Sequence, residues 1–244
     1  MRHWLGFLRS LVIYHNPAMM RAWRRFYSDL LEPQDLAFDV GAHIGNRSRA
    51  LRAAGARVVA IEPQQPFAGF LRRTLPRDIA LIEAAVGGTE TEAEMAISSR
   101  HPTVSSLRTE FVSGAAEAPG FEHVRWDRIQ RVRMVTLDGL IARFGLPRYV
   151  KIDVEGYEAE VLAGLSQPVA ILSVEFLPGF PQLTHAVIDR LAELGDYRFN
   201  PVQGETGGFL WPEWRDGAAV KAWLGTLPAD ATSGDLFARL PGTG

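Results

Sequence analysis

Two short stretches of this sequence hold side chains able to do chemistry. FDVGAHIGNRS, Phe38–Ser48, places the Asp39 carboxylate and the glycines Gly41 and Gly45 where a strand reads as turning into a helix. YVKIDVEG, Tyr149–Gly156, carries Lys151, Asp153 and Glu155 at alternate positions. Period-two alternation at the end of a strand predicts that these three side chains share one face. A glycine turn between strand and helix points backbone N–H groups toward a ligand above the sheet. In dinucleotide sites of the form G-x-G-x-x-G, the second glycine admits the pyrophosphate and the third lets the helix pack on the strand. His43 and Asn46 stand at those two positions here, which argues against a pyrophosphate.

Asp39 adds a second objection to phosphate, because a carboxylate repels it but suits hydroxyls, an ammonium or a sulfonium. S-adenosylmethionine has a ribose and a cationic centre and no phosphate. Glu62 follows 17 positions beyond Gly45, at the end of the next strand. That is close to the spacing at which an acid accepts hydrogen bonds from ribose hydroxyls. Alone, Asp39 could hold turn amides and Glu62 could be solvated; together around the glycine turn they favour a nucleoside ligand.

The elements that must position these residues can be read along the chain. Leu36–Val40 reads as a buried strand, Asn46–Gly55 as a helix closed by Gly55, and Arg57–Pro63 as a second strand. Pro66–Leu75 reads as a helix and Ile79–Gly87 as a third strand. Such βα repeats imply a parallel sheet with helices on both faces and ligands beyond the carboxyl ends of the strands. Residues 88–132 break the rhythm with polar, irregular sequence and read as an inserted lid or substrate region. Val132–Gly145 then predicts a strand and short helix, Pro147–Leu165 a strand and helix, Ala170–Phe176 a strand, and Thr184–Gly195 a helix. Tyr197–Gln203 and Asp235–Leu240 are candidate last strands. Residues 1–33 form a helical, basic extension, with Pro17 separating two helices and Met19, Trp23, Phe26 and Leu30 at helical spacing. Three uses are open for it: packing on the sheet, a lid, or peripheral contact with a membrane surface.

The totals narrow the chemistry. With 244 residues the chain suits one α/β domain, residues 34–244, plus the extension. A net charge of −2 builds in no general affinity for nucleic acid. Having no cysteine excludes disulfides, zinc–thiolate sites and cysteine nucleophiles. Arg9 interrupts the apolar N-terminal run, so no export signal is read, and no run approaches a membrane span of about 18 apolar residues. A cytoplasmic protein, or one associated peripherally with a membrane, is expected.

DVGAHIG, AIEP, AAVG, VTLDGLI, YVKIDVEGYEAEVLAGL and ILSVEF, in this order, resemble the FkbM-type methyltransferase family, within the Rossmann-like class I enzymes that use S-adenosylmethionine. The resemblance spans about residues 35–175, with an echo in GDLFARL. It implies an α/β fold with a seven-stranded, mostly parallel sheet of order 3-2-1-4-5-7-6 whose seventh strand is antiparallel. It further implies that Asp39, Gly41, His43 and Gly45 line the methionine side, that Glu62 holds the ribose, and that Glu83, Ala84 and Ala85 flank the adenine. Ala42, Asn46, Pro63 and Asp153 complete the expected cofactor-binding set. The common family member has Asn where this chain has His43.

The family resemblance implies O-methylation of a small molecule, sugar or glycan. A sulfonium methyl is already activated, so the enzyme supplies alignment and a dry site, and a base matters where the acceptor keeps its proton. Asp153 is the leading candidate for base or acceptor ligand, with Lys151 holding it ionised or steadying an oxyanion. Asp153 and Glu155 could instead ligate a divalent ion or cap the helix beginning near Gly156; no dedicated metal site is expected. His101, in the inserted region, is a second candidate base, and Arg100, Ser105 and Ser106 could bind an acceptor. Glu175 ends the next strand and could touch the acceptor or cap structure. Trp211, Trp214 and Trp223 could stack on sugars or pack in the core. Competing readings are a non-catalytic cofactor-binding or membrane-surface module and an NAD-dependent oxidoreductase. A nucleic-acid methyltransferase is disfavoured because D-V-E-G stands where an aromatic base-flipping tetrapeptide is expected.

Overall fold

In this computed structural model, residues 16–98 and 126–242 are described. Helix α1 (Pro17–Leu30) begins where the Asn16 side chain accepts from the Ala18 and Met19 N–H groups and Pro17 occupies the first turn. Strand β1 (Leu36–Val40), helix α2 (Asn46–Ala53), strand β2 (Arg57–Ile61), helix α3 (Phe67–Thr74) and strand β3 (Ala80–Ile82) follow in order. After β4 (Ala85–Val86), β5 (Thr91–Ile97) and β6 (Arg128–Val135) come α4 (Leu137–Phe144), β7 (Tyr149–Ile152) and α5 (Glu158–Ala163). The chain closes with β8 (Ile171–Phe176), α6 (Pro181–Leu194), β9 (Arg198–Gln203), α7 (Gly217–Leu224) and β10 (Gly234–Arg239).

Seven strands form one sheet in the order β3-β2-β1-β7-β8-β10-β9, with β10 antiparallel to both neighbours. Renumbered within that sheet, this is the 3-2-1-4-5-7-6 order with an antiparallel seventh strand. The central strands β1 and β7 are buried along their whole length, as expected of a parallel sheet covered on both faces. Phe38 and Val40 enter one apolar cluster with Ile152 and Val174, while Ala37 enters another with Leu51, Tyr149 and Phe237.

Three expectations need correction. The stretch 79–87 is two strands: β3 stays in the main sheet, and β4 leaves it for a three-stranded sheet β4-β6-β5. Residues 88–132 are not irregular throughout, because β5 and the first half of β6 pair antiparallel there. Charged residues alternating along both strands hide the apolar face, where Met95, Ile97, Val132 and Met134 form a small core with Ala85. Finally, Glu155 is not carried by strand alternation: β7 ends at Ile152, and the chain then passes through left-handed residues, Glu155 at φ 55° and Gly156 at φ 89°.

Helix α1 uses its apolar stripe inside the fold. Trp23 and Tyr27 are fully buried and Phe26 nearly so, packed against Tyr149 and Phe237. Burying each such ring is worth roughly 1.5–3 kcal/mol, so the stripe of α1 is core rather than a face left for lipid. Residues 1–15, and with them the first expected helix, lie outside the described residues. No helix among the described residues is long and apolar enough to cross a membrane.

Candidate active site

A cavity of about 500 Å³ opens beyond the carboxyl ends of β1, β2, β7 and β8, large enough for a nucleoside-sized ligand. Its floor is the turn after β1. The Gly41 and Ala42 N–H groups both donate to the Ile61 carbonyl, and Gly45 donates back to Ala42. Gly41 sits at φ 83°, and a Cβ there would lie 1.8 Å from the Asp153 carbonyl oxygen. Only glycine lets the β1 turn and the end of β7 approach this closely. Gly45, at φ 78°, opens α2.

His43 occupies a left-handed position, φ 51°, which Asn and His tolerate better than most residues. Its backbone N–H donates to Glu62 Oε2 at 2.7 Å, and its ring lies 4.1 Å from that of Phe67. Burial pushes its imidazole down to about 4, so it is neutral at pH 7. Its backbone fits the turn at a position where Asn shares the left-handed preference.

Asp39 is fully buried and accepts from the Ser48 hydroxyl through Oδ2, while Oδ1 has no partner among the described residues. Burial raises its pKa despite Lys151 and Ser48. Glu62 is also buried, with Oε2 bonded by His43 and Oε1 accepting from the Gln64 N–H at 2.8 Å. Burial lifts its carboxyl to about 8 against these two donors. Each of its oxygens keeps a lone pair for a further donor.

Asp153 meets Lys151, Nζ to Oδ2, at 2.7 Å. The Lys151 side chain is 3% exposed and that of Asp153 36%, so the lysine stands behind a carboxylate that opens on the cavity. Lys151 holds Asp153 below the ordinary carboxylate range in spite of burial, and the acids Asp153, Asp235 and Asp39 keep Lys151 charged in spite of its own. One oxygen each from Asp153, Glu155 and Glu175 lies within 4.8 Å of the others, a spacing that could hold a hard divalent cation. Burial and the neighbouring acids raise Glu155 and Glu175 well above their usual value. Glu158 orders the turn into α5, its Oε1 accepting from the Val154 and Gly156 N–H groups.

Asp39, Gly41, Ala42, His43, Asn46, Glu62, Pro63, Ala84, Ala85, Lys151, Asp153, Glu155 and Glu175 all line this cavity. Gly45 does not line it and instead precedes α2 as its N-cap. Glu83 does not line it: exposed beyond β3, it accepts two hydrogen bonds from Arg72, which hold its carboxyl below the usual range. The chain leaves the main sheet there, so Glu83 turns outward while Ala84 and Ala85 turn in. None of Trp211, Trp214 and Trp223 reaches the cavity. Trp211 and Trp223 pack edge-to-face at 5.2 Å, and Trp214 meets Phe209. His101, Arg100, Ser105 and Ser106 lie outside the described residues.

Three charged cavity residues, Arg47, Glu205 and Asp235, were not foreseen. Arg47 is buried, bonded to Asp235 Oδ2 at 2.7 Å and to Glu205 Oε2 at 3.2 Å, with its guanidinium 3.1 Å from the centre of the Trp23 ring. Trp23 Nε1 also donates to Glu205, joining α1 to the cavity wall. One signal could have found Arg47: it shares the inward helical face of Ala50 and Leu51. The sequence assigns no role to Glu205, in the turn after β9, or to Asp235, which stands in the GDLFARL echo on β10.

A family model described as the methyltransferase FkbM domain matches residues 39–199. A search of curated proteins returns no match. Among solved structures, a magnesium protoporphyrin IX methyltransferase from Synechocystis PCC 6803 with bound S-adenosylmethionine aligns at a TM-score of 0.46 and 11% identity, covering 96% of this chain and 83% of that one. A precorrin-6y C5,15-methyltransferase from Geobacter metallireducens GS-15 aligns at 0.43 and 15%, covering 89% and 86%. At these scores and identities neither bears on activity.

Proposed function

The chain belongs to the FkbM methyltransferase family and is thus an S-adenosylmethionine-dependent methyltransferase, and from that premise we propose that it methylates a hydroxyl of a small molecule, sugar or glycan, with Asp153 receiving the proton. The cavity's chemistry suits the cofactor. Asp39 brings a buried carboxylate oxygen without a partner toward its cationic groups, and Glu62 has acceptor sites left for ribose hydroxyls. Gly41, Ala42, Asn46, Pro63, Ala84 and Ala85 offer small or flat surfaces along the same wall. When bound, the cofactor supplies an electrophilic methyl group and departs as S-adenosylhomocysteine.

The single observation that carries the reading is the Lys151–Asp153 pair at the cavity's edge. Lys151 keeps Asp153 ionised, which orients a hydroxyl by accepting its hydrogen bond and takes its proton as the new C–O bond forms. A carboxylate is a sufficient base here, because the hydroxyl becomes acidic as its oxygen gives up electron density.

The test is transfer of labelled methyl from S-adenosylmethionine to a panel of sugars, glycans, hydroxylated metabolites and matched amines. Label found in ether linkage, lost in Asp153→Asn, is the expected result. Label on amines alone, or full activity in Asp153→Asn, would contradict it.

A further inference from the structure

We propose that Gln64 reads the adenine ring of the cofactor, donating from its carboxamide nitrogen to N7 and accepting from the exocyclic amine. The inference rests on the S-adenosylmethionine reading above.

Gln64 is 4% exposed and lines the cavity together with Pro63, Ala84 and Ala85. Its Nε2 has no hydrogen-bond partner among the described residues, although the loop around it is bonded throughout. Leaving a buried N–H donor unmade is costly, so a position that retains one calls for a partner that arrives with the ligand. The loop is held on three sides. The Gln64 N–H donates to Glu62 Oε1 at 2.8 Å, Gln130 Nε2 donates to the Pro63 carbonyl at 2.7 Å, and the Gln65 N–H donates to Gln130 Oε1 at 3.0 Å. Gln130 belongs to β6, so the small second sheet braces the loop from outside. The free carboxamide is therefore presented from a fixed backbone, as a recognition group must be.

Position and chemistry name the partner. Gln64 stands two residues beyond Glu62, the acid assigned to the ribose, and a base joined to that ribose extends along the same loop. A carboxamide places a donor beside an acceptor. Adenine's edge shows the complement, a ring-nitrogen acceptor beside an amine donor. On that N7 edge hypoxanthine carries a carbonyl in place of the amine, so it shows two acceptors and leaves the carboxamide oxygen without a donor however the amide is turned. A site built to satisfy a polar group discriminates strongly against a ligand that leaves it unpaired.

The experiment is calorimetric titration of the full-length protein with S-adenosylhomocysteine and with its hypoxanthine counterpart, S-inosylhomocysteine, for the wild type and Gln64→Leu. The wild type should prefer the adenine ligand by about tenfold or more. Gln64→Leu should lose about tenfold in affinity for S-adenosylhomocysteine and little for the inosyl ligand, erasing the preference. Equal wild-type affinities, or a preference kept by Gln64→Leu, would overturn the proposal. Thermal melting checks that the variant folds; if it does not, Gln64→Ala and the wild-type comparison decide. Failure of the wild type to bind S-adenosylhomocysteine would overturn the cofactor reading itself, and with it this one.

Discussion

Gly41→Ala tests the junction on which the site depends. An ideal Cβ at Gly41 would stand 1.8 Å from the Asp153 carbonyl oxygen and 2.9 Å from its carbonyl carbon, both backbone atoms that no rotamer change can move aside. Restoring ordinary contact requires the ends of β1 and β7 to part by more than 1 Å, roughly, since real contacts of this kind seldom fall below about 3 Å. The separation strains the Asp153 N–H bond to the Val40 carbonyl, now 3.0 Å. Holding a non-glycine residue at φ 83° adds about 1–2 kcal/mol, and a weakened buried hydrogen bond about 1–3 kcal/mol. The expected destabilisation is about 2–5 kcal/mol, a large fraction of a typical domain's stability. Urea unfolding measures it, and calorimetry with S-adenosylhomocysteine reads the turn. Because Asp153 moves with the junction, methyl transfer should fall by about a hundredfold in the folded fraction. Wild-type stability and affinity in Gly41→Ala would refute the close approach and the reasoning built on it.

Other consequences follow from the charges and the packing. Asp153→Asn should lower kcat by about 10²–10⁴ while leaving the dissociation constant for S-adenosylhomocysteine within a few-fold, which separates a proton acceptor from a binding group. Lys151→Met removes the cation that holds Asp153 low, so the acid limb of the pH–rate profile should move to higher pH. In the cofactor-free protein, Glu62 is raised to about 8 and Glu158 to about 7 by burial. Their contribution is complete below the ordinary carboxylate range and lost as pH rises through those values. His43, lowered to about 4, acts oppositely and only below its ordinary 6.5. The melting temperature should therefore fall as pH rises from about 4.5 to about 8, most steeply just above pH 6.5 where His43 no longer opposes it, and Glu158→Gln should flatten the part below about pH 7. Trp23→Ala should cost about 3–5 kcal/mol in urea unfolding, since it empties a buried site and removes the N–H donor to Glu205.

The strands and helices of the main sheet were legible because apolar periodicity, glycine stops and proline starts all agree there. The second sheet was not. In TEAEMAI and RIQRVRMV, outward charges interrupt the apolar residues, and only their pairing shows the buried face. The site was legible where a residue's role follows from its place at a strand tip or in the glycine turn. It was not where a chain leaves its sheet, as at Glu83, or where an ion pair closes across distant elements, as at Arg47 with Asp235.

The amino-acid sequence by itself determined that a glycine turn carrying Asp39 would face Glu62 across a parallel sheet, because strand, turn and helix are local consequences of short-range patterning. It also carried the family's motif blocks in order. Only the tertiary structure decided that Lys151 stands behind Asp153, that Glu158 orders the turn into α5, and that Gln64 faces the cavity wall with its amide unanswered. Burial and partner choice are set by residues far away in the chain. Charge state and hydrogen bonding depend on those neighbours, which local patterning does not specify.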